Sequence, residues 1–248
     1  MSDKTSTQLP ITSLFPNIAT IIGLCFGMSS IRYALEQRWE LAVALLLVSA
    51  FIDGMDGRLA RMLNASTDFG AQLDSLADFV NFGVAPAFLV YSWGLSAIEI
   101  RGLGWAISLI YTICCGIRLA RFNTLLNKNK DEDKNYFFGV PAPCGACLML
   151  LPIVLSFQYE LIFFRENPII LSIYTLIVSL LMSSQLPTIS LKNVKINSDY
   201  ILPCLILAAI FVVGLIIEPW LALPILCFAY ILSIPVSIAY YFYKKKSL

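Results

Sequence analysis

Residues 53–78 read DGMDGRLARMLNASTDFGAQLDSLAD, and the spacing inside this stretch decides the fold. At about 100° per residue, Asp53, Asp56, Gly57, Ala60 and Arg61 fall within roughly 140° of one helix face. Gly70, Asp74 and Asp78 recur at i, i+4 and i+8 and line a second face. Residues 62–68 contain Asn64, Ser66 and Thr67, which suits a break between two antiparallel helices. Ser66, Thr67 or Asp68 is placed to cap the second helix. Folding the helices back on each other gathers Asp53, Asp56, Asp74 and Asp78.

Carboxylates crowded into a poorly hydrated site repel one another and are costly to ionise. Divalent cations are the simplest remedy. Hard oxygen ligands without histidine or cysteine favour magnesium or manganese, and a phosphate-bearing substrate can complete the coordination. Gly57, Ala60 and Gly70 carry almost no side chain on the same faces, which leaves room for a ligand against the backbone. One aspartate near a helix end would be read as solvated, and small residues alone as helix packing. Four aspartates in phase with Gly, Ala and Arg point to a site, because ionisable groups inside membranes are functional by default.

The flanks on both sides are apolar. The chain of 248 residues is 58% hydrophobic and 13% charged, against about 25% charged in soluble domains. Apolar runs predict an all-α, polytopic helical membrane protein with about eight transmembrane helices. The expected spans are 14–31, 39–63, 68–91, 103–125, 138–157, 169–189, 201–217 and 221–243. Residues 1–13 are expected to be a cytosolic tail. The chain has no histidine, which excludes histidine bases and ligands. A net charge of +1 and the lack of a basic-aromatic patch give no reason to expect nucleic acid. Seven cysteines lie mostly in apolar segments, and the Cys144/Cys147 pair lacks partner ligands for zinc.

Several other segments carry polar groups. FPNIAT opens the first span; Asn17 is either a ligand contact or a helix cap, and Pro16 suits a helix start. Pro86 is expected to kink the third span or loosen it. Arg118 and Arg121 share a helix face near the end of the fourth span. At membrane depth they need an anionic partner, unless they serve as positive-inside anchors. Gly139, Pro141 and Pro143 rule out a regular helix start in FFGVPAP, so this backbone either walls a pocket or punctuates packing. With both termini inside, thirteen Lys/Arg fall on the cytosolic side and four outside, which places the acidic cluster at the cytoplasm. On insertion scales each Asp at mid-bilayer costs about 2.5–3.5 kcal/mol, so a shallow, metal-bound site is the consistent choice.

The pattern D-x-x-D-G-x-x-A-R, eight residues, then G-x-x-x-D-x-x-x-D resembles the signature of the CDP-alcohol phosphotransferases, and every position is met. FGVAPA (82–87), RLARFN (118–123) and FGVPAP (138–143) look like the phosphatidylserine synthase branch of bacteria and archaea. The resemblance covers residues 14–145, with 146–248 as additional transmembrane helices of one membrane domain. It implies transfer of a phosphatidyl group from CDP-diacylglycerol to L-serine with release of CMP, in the prokaryotic cell membrane among its lipids. It also implies two Mg2+ or Mn2+ ions held by Asp53, Asp56, Asp74 and Asp78, with Asp78 as general base. Asn17, Asp56, Gly57, Ala60, Arg61 and Gly70 would contact CDP. Asn81, Arg118 and Arg121 would face the acceptor or a phosphate; Asn81 stands where many relatives carry Ser. A homodimer is expected by analogy. The alternatives are a phosphatidylglycerophosphate synthase, an enzyme accepting inositol phosphate, or a cation transporter using the Asp cluster.

Overall fold

The computed structural model describes residues 14–62, 67–128, 136–184, 187–189 and 218–246, with seven helical positions between 203 and 217. Side chains at 59–61, 125–128, 136–138, 187–189 and 238–246 lie outside the described residues.

The first helix, α1 (Leu14–Leu35), turns through three residues into α2 (Trp39–Met62), and the two pack along their length. The reason lies in α1. Its buried residues are Pro16, Thr20, Gly23, Gly27, Ser30 and Ala34, spaced by four and three. A stripe of small residues lets helix backbones approach closely where apolar lipid offers no hydrophobic drive. Ser49 of α2 uses that closeness to donate to the Gly23 carbonyl at 2.8 Å. The outer face of α1, with Leu14, Ile18, Ile21 and Met28, is exposed, as a lipid-facing surface requires.

The third segment is one continuous rod in three parts: α3 (Asp68–Asp78), a π-helical turn (Phe79–Val84) and α4 (Ala85–Trp93). Thr67 is the N-cap, accepting from the Gly70 amide at 3.0 Å, so one of the three expected caps is realised. Pro86 loosens the rod as anticipated. It has no N–H to return to Phe82 four residues back, and the buried Tyr111 hydroxyl donates to the Phe82 carbonyl at 2.9 Å instead.

Tyr111 belongs to α5 (Leu103–Lys128), which leads to α6 (Ala142–Tyr159), the short α7 (Phe163–Glu166), α8 (Pro168–Ser183) and α9 (Pro219–Lys246). α6 is the hub: Leu148–Val154 are buried without interruption, and α2, α4, α5, α8 and α9 pack around it. Two expectations change here. The span expected over 138–157 becomes a helix only at Ala142, because Gly139 sits at φ +80° and Pro141 precedes the helix. The span expected over 169–189 stops at Ser183. Three-residue strands β1 (Tyr136–Phe138) and β2 (Pro187–Ile189) then pair antiparallel.

The span count also differs from the eight expected. Among the described residues five helices are long and apolar enough to cross a membrane: Leu14–Leu35, Asp68–Trp93, Leu103–Thr124, Ala142–Tyr159 and Pro219–Ser237. α8 is apolar but shorter. α2 has the length but carries Glu40, Asp53, Asp56, Arg58 and Arg61. The run expected over 201–217 lies mostly outside the described residues. The protein is an all-α integral membrane protein.

Candidate active site

The C-terminal halves of α2 and α3 bring their carboxylates together. One carboxylate oxygen from each of Asp53, Asp56 and Asp74 lies within 4.8 Å of the others. Two of these residues come from α2 and one from α3, which is the juxtaposition that spacing anticipated. Asp78, one turn further along α3, packs against Asp53 within hydrogen-bonding range. The buried Oδ1 atoms of Asp53 and Asp78 have no hydrogen-bond partner among the described residues. Carboxylate oxygens brought together without donors need a cation or a shared proton between them. The donor set is all oxygen, which suits a hard divalent cation rather than a soft one.

Asp56 is the most buried of the four, at 3% exposure. Thr20 of α1 donates its hydroxyl to Asp56 Oδ2 at 2.7 Å. Thr20 stands in the quoted FPNIAT segment, where local sequence draws attention to Pro16 and Asn17 but not to Thr20. The signal that finds it is its place on the buried stripe of α1. Asn17 lies at the same end: a Cβ added to Gly70 would meet Asn17 Oδ1 at 2.7 Å. Gly70 therefore admits the start of α1 into the site. A Cβ at Gly57 would meet nothing within 4 Å, so this position borders open space. The side chains of Ala60 and Arg61 lie outside the described residues.

The remaining expected residues divide. Asn81 sits in the π-helical turn, 1% exposed, with its Oδ1 unpartnered among the described residues. It presses on α1: a Cβ added to Gly27 would stand 2.0 Å from Asn81 Oδ1. Asn81 is thus wedged in the bundle, and the π turn sets where its amide points. Arg118 lies beside Gly139, its Nη1 3.5 Å from where a Cβ would stand, and within electrostatic reach of Tyr230 and Cys144. Arg121 turns away and donates to the Ser183 carbonyl at 3.2 Å, at the C-terminal end of α8. A cation there complements the helix dipole. Asn123, the last residue of RLARFN, donates to Ser75 at 2.9 Å and ties α5 to α3 beside Asp74.

An acidic cluster that can hold a divalent cation, lodged between helix ends with small residues leaving space beside it, defines a membrane-embedded enzyme rather than a packing module. The chain belongs to the CDP-alcohol phosphatidyltransferase family, which matches residues 13–183; a second family of that description, CDP-alcohol phosphatidyltransferase 2, matches residues 199–235. The chain is 35% identical over 227 residues to a CDP-diacylglycerol–serine O-phosphatidyltransferase of Mycobacterium leprae, covering 91% of this chain and 74% of that one. It is 36% identical over 200 residues to the protein of that name from Helicobacter pylori, covering 80% and 82%. The Bacillus subtilis protein of the same name is 38% identical over 172 residues, covering 69% and 87%.

Proposed function

We propose that the protein is a phosphatidylserine synthase: it transfers the phosphatidyl group of CDP-diacylglycerol to the hydroxyl of L-serine and releases CMP. The observation that carries this reading is the convergence of Asp53, Asp56 and Asp74, with Asp78 set against Asp53, in a chain of this family. Three relatives that match most of the chain bear the name of that reaction.

Asp53, Asp56 and Asp74 would hold the divalent ions, Mg2+ or Mn2+, with Asp78 beside them. Bound ions would supply charge neutralisation for the diphosphate. The chain's own residues do the rest. Thr20 keeps Asp56 oriented. Asn17, Asp56, Gly57, Ala60, Arg61 and Gly70 would form the cleft for CDP, with Arg61 assigned to phosphate. Asp78 takes the proton of the serine hydroxyl. The serine oxygen bonds to the phosphorus carrying diacylglycerol as the bond from that phosphorus to the CMP oxygen breaks. Arg118 faces the acceptor's carboxylate or the diphosphate, and Asn81 tunes the acceptor pocket. Residues 14–145 carry the chemistry, and among the described residues beyond them α6, α8 and α9 brace the bundle. The acidic end faces the cytoplasm of a prokaryotic cell, where serine enters and CMP leaves.

The test offers labelled serine, glycerol 3-phosphate and inositol phosphate to the purified protein in liposomes containing CDP-diacylglycerol, with and without added metal. Metal-dependent CMP release with serine alone supports the reading. Release with either phosphorylated acceptor in preference to serine overturns the acceptor, and no metal-dependent release overturns the enzyme.

A further inference from the structure

At the end of the bundle opposite the carboxylates lies a cavity of about 550 Å3. It is formed where the α1–α2 turn meets the ends of α4 and α6 and the short α7. Its polar lining includes Arg38, Glu40 and Arg165, all exposed. None of the three makes an ion pair among the described residues, whose ion pair is Arg32–Glu36. Arg38 is instead held over the Tyr33 ring, 5.2 Å from its centroid. Trp39 and Trp93 line the same cavity at the ends of their helices, the depth at which indoles mark a membrane interface.

The two non-glycine residues at positive φ among the described residues are Gln37, at 58°, and Glu160, at 50°. Gln37 lines the cavity, and Glu160 joins Phe157 to Ile162, which also line it. Both residues terminate helices: Glu160 is the left-handed C-cap of α6, and the Arg38 amide donates to the Tyr33 carbonyl at 2.9 Å to close α1, so two helix ends fix the rim of the cavity.

We propose that this cavity binds the headgroup of a zwitterionic aminophospholipid from the leaflet at that end. Arg38 and Arg165 take the phosphodiester, Glu40 takes the ammonium, and the partly exposed Trp39 indole packs on the glycerol backbone, with the buried Trp93 as the floor. Two cations and one carboxylate, unpaired with each other in one cleft, complement a group carrying phosphate and amine together. A purely anionic headgroup would leave Glu40 opposed.

The experiment is native mass spectrometry of the detergent-solubilised full chain with phosphatidylethanolamine or phosphatidylglycerol of matched acyl chains. Wild type should retain phosphatidylethanolamine in preference. The Arg38→Gln/Arg165→Gln variant should lower its retention at least about tenfold, the size of one lost charge-assisted hydrogen bond. Glu40→Gln should erase the preference over phosphatidylglycerol. Both variants should release CMP as wild type does, since the cavity is remote from the carboxylates. Should the double variant fail to fold, the single Arg165→Gln change, on the exposed α7, carries the test. Unchanged retention in the arginine variants overturns the site, and a surviving preference in Glu40→Gln overturns the amine assignment. Displacement of the lipid by excess inorganic phosphate would make this a phosphate site instead.

Discussion

Thr20 and Asp56 are 36 residues apart, and the Thr20 hydroxyl reaches Asp56 Oδ2 at 2.7 Å. The contact exists because α1 carries small residues at each inward position, so that α2 lies against its backbone. A packing pattern in one helix thereby orients a carboxylate on the next. Thr20→Val keeps the shape and removes the donor. Outer-shell partners of metal ligands typically matter by about 10–100-fold in metal affinity. The divalent-metal concentration giving half-maximal CMP release should rise by about that factor in Thr20→Val, with thermal stability little changed. An unshifted metal titration would mean that Thr20 only packs.

Asp78 differs from the other three carboxylates in its setting, lying against Asp53 outside the convergent trio. Asp78→Asn should lower transfer to serine by about 10²–10⁴-fold, the usual contribution of a positioned base. Binding of CDP-diacylglycerol, followed by protection from heat, should persist. Robust turnover by this variant would remove Asp78 from the proton-transfer role.

Gly27 and Asn81 are in contact across the α1–π interface. A methyl at Gly27 would stand 2.0 Å from Asn81 Oδ1, so the buried amide must move. Gly27→Ala should cost about 1–3 kcal/mol by overpacking and lower the melting temperature in detergent. Because Asn81 is three residues past Asp78, the variant should also raise the KM for serine. A stable variant with an unchanged KM would show that Asn81 has room to shift.

The two arginines of RLARFN should behave differently. Arg121 closes the C-terminal end of α8, and Arg121→Ala should cost about 1–2 kcal/mol in stability while leaving the serine KM near wild type. Arg118→Ala should raise that KM instead. Equal kinetic effects from both would contradict the division.

Local spacing made the acidic site legible: Asp53 and Asp56 share a turn, Gly70, Asp74 and Asp78 repeat every four residues, and Thr67 reads as a cap. Arg121 was not legible, because its partner Ser183 lies 62 positions away and nothing nearby announces it. The strands at 136–138 and 187–189 were hidden for the same reason, since each is three residues long and its pairing is remote. The expected number of spans rested on apolar runs. Such runs do not register that α2 trades apolarity for its charged end, or that α8 stops at Ser183. Pro86 announced a disturbance but not its form. The π turn depends on what receives the freed carbonyl, and that is a side chain on another helix.

That dependence can be measured. Phe82 in an α-helix would accept from residue 86, and proline has no N–H to give; Tyr111 supplies a hydroxyl at 2.9 Å in its place. Both Tyr111 and Phe82 are almost fully buried, so water is a poor substitute. Tyr111→Phe should therefore cost about 1–3 kcal/mol, the penalty of a buried carbonyl left without its partner. Pro86→Ala restores a backbone donor at that position. In the Pro86→Ala background the same Tyr111→Phe change should cost less, and the coupling between the two sites should exceed about 0.5 kcal/mol in a double-mutant cycle. Pro86→Ala also lets the turn relax toward an α-helix, which rotates Asn81 relative to Asp78, so its serine KM should rise even where stability does not fall. Strict additivity of the two substitutions would mean that the Tyr111 hydroxyl and the proline act independently, and that the π turn is maintained by packing alone.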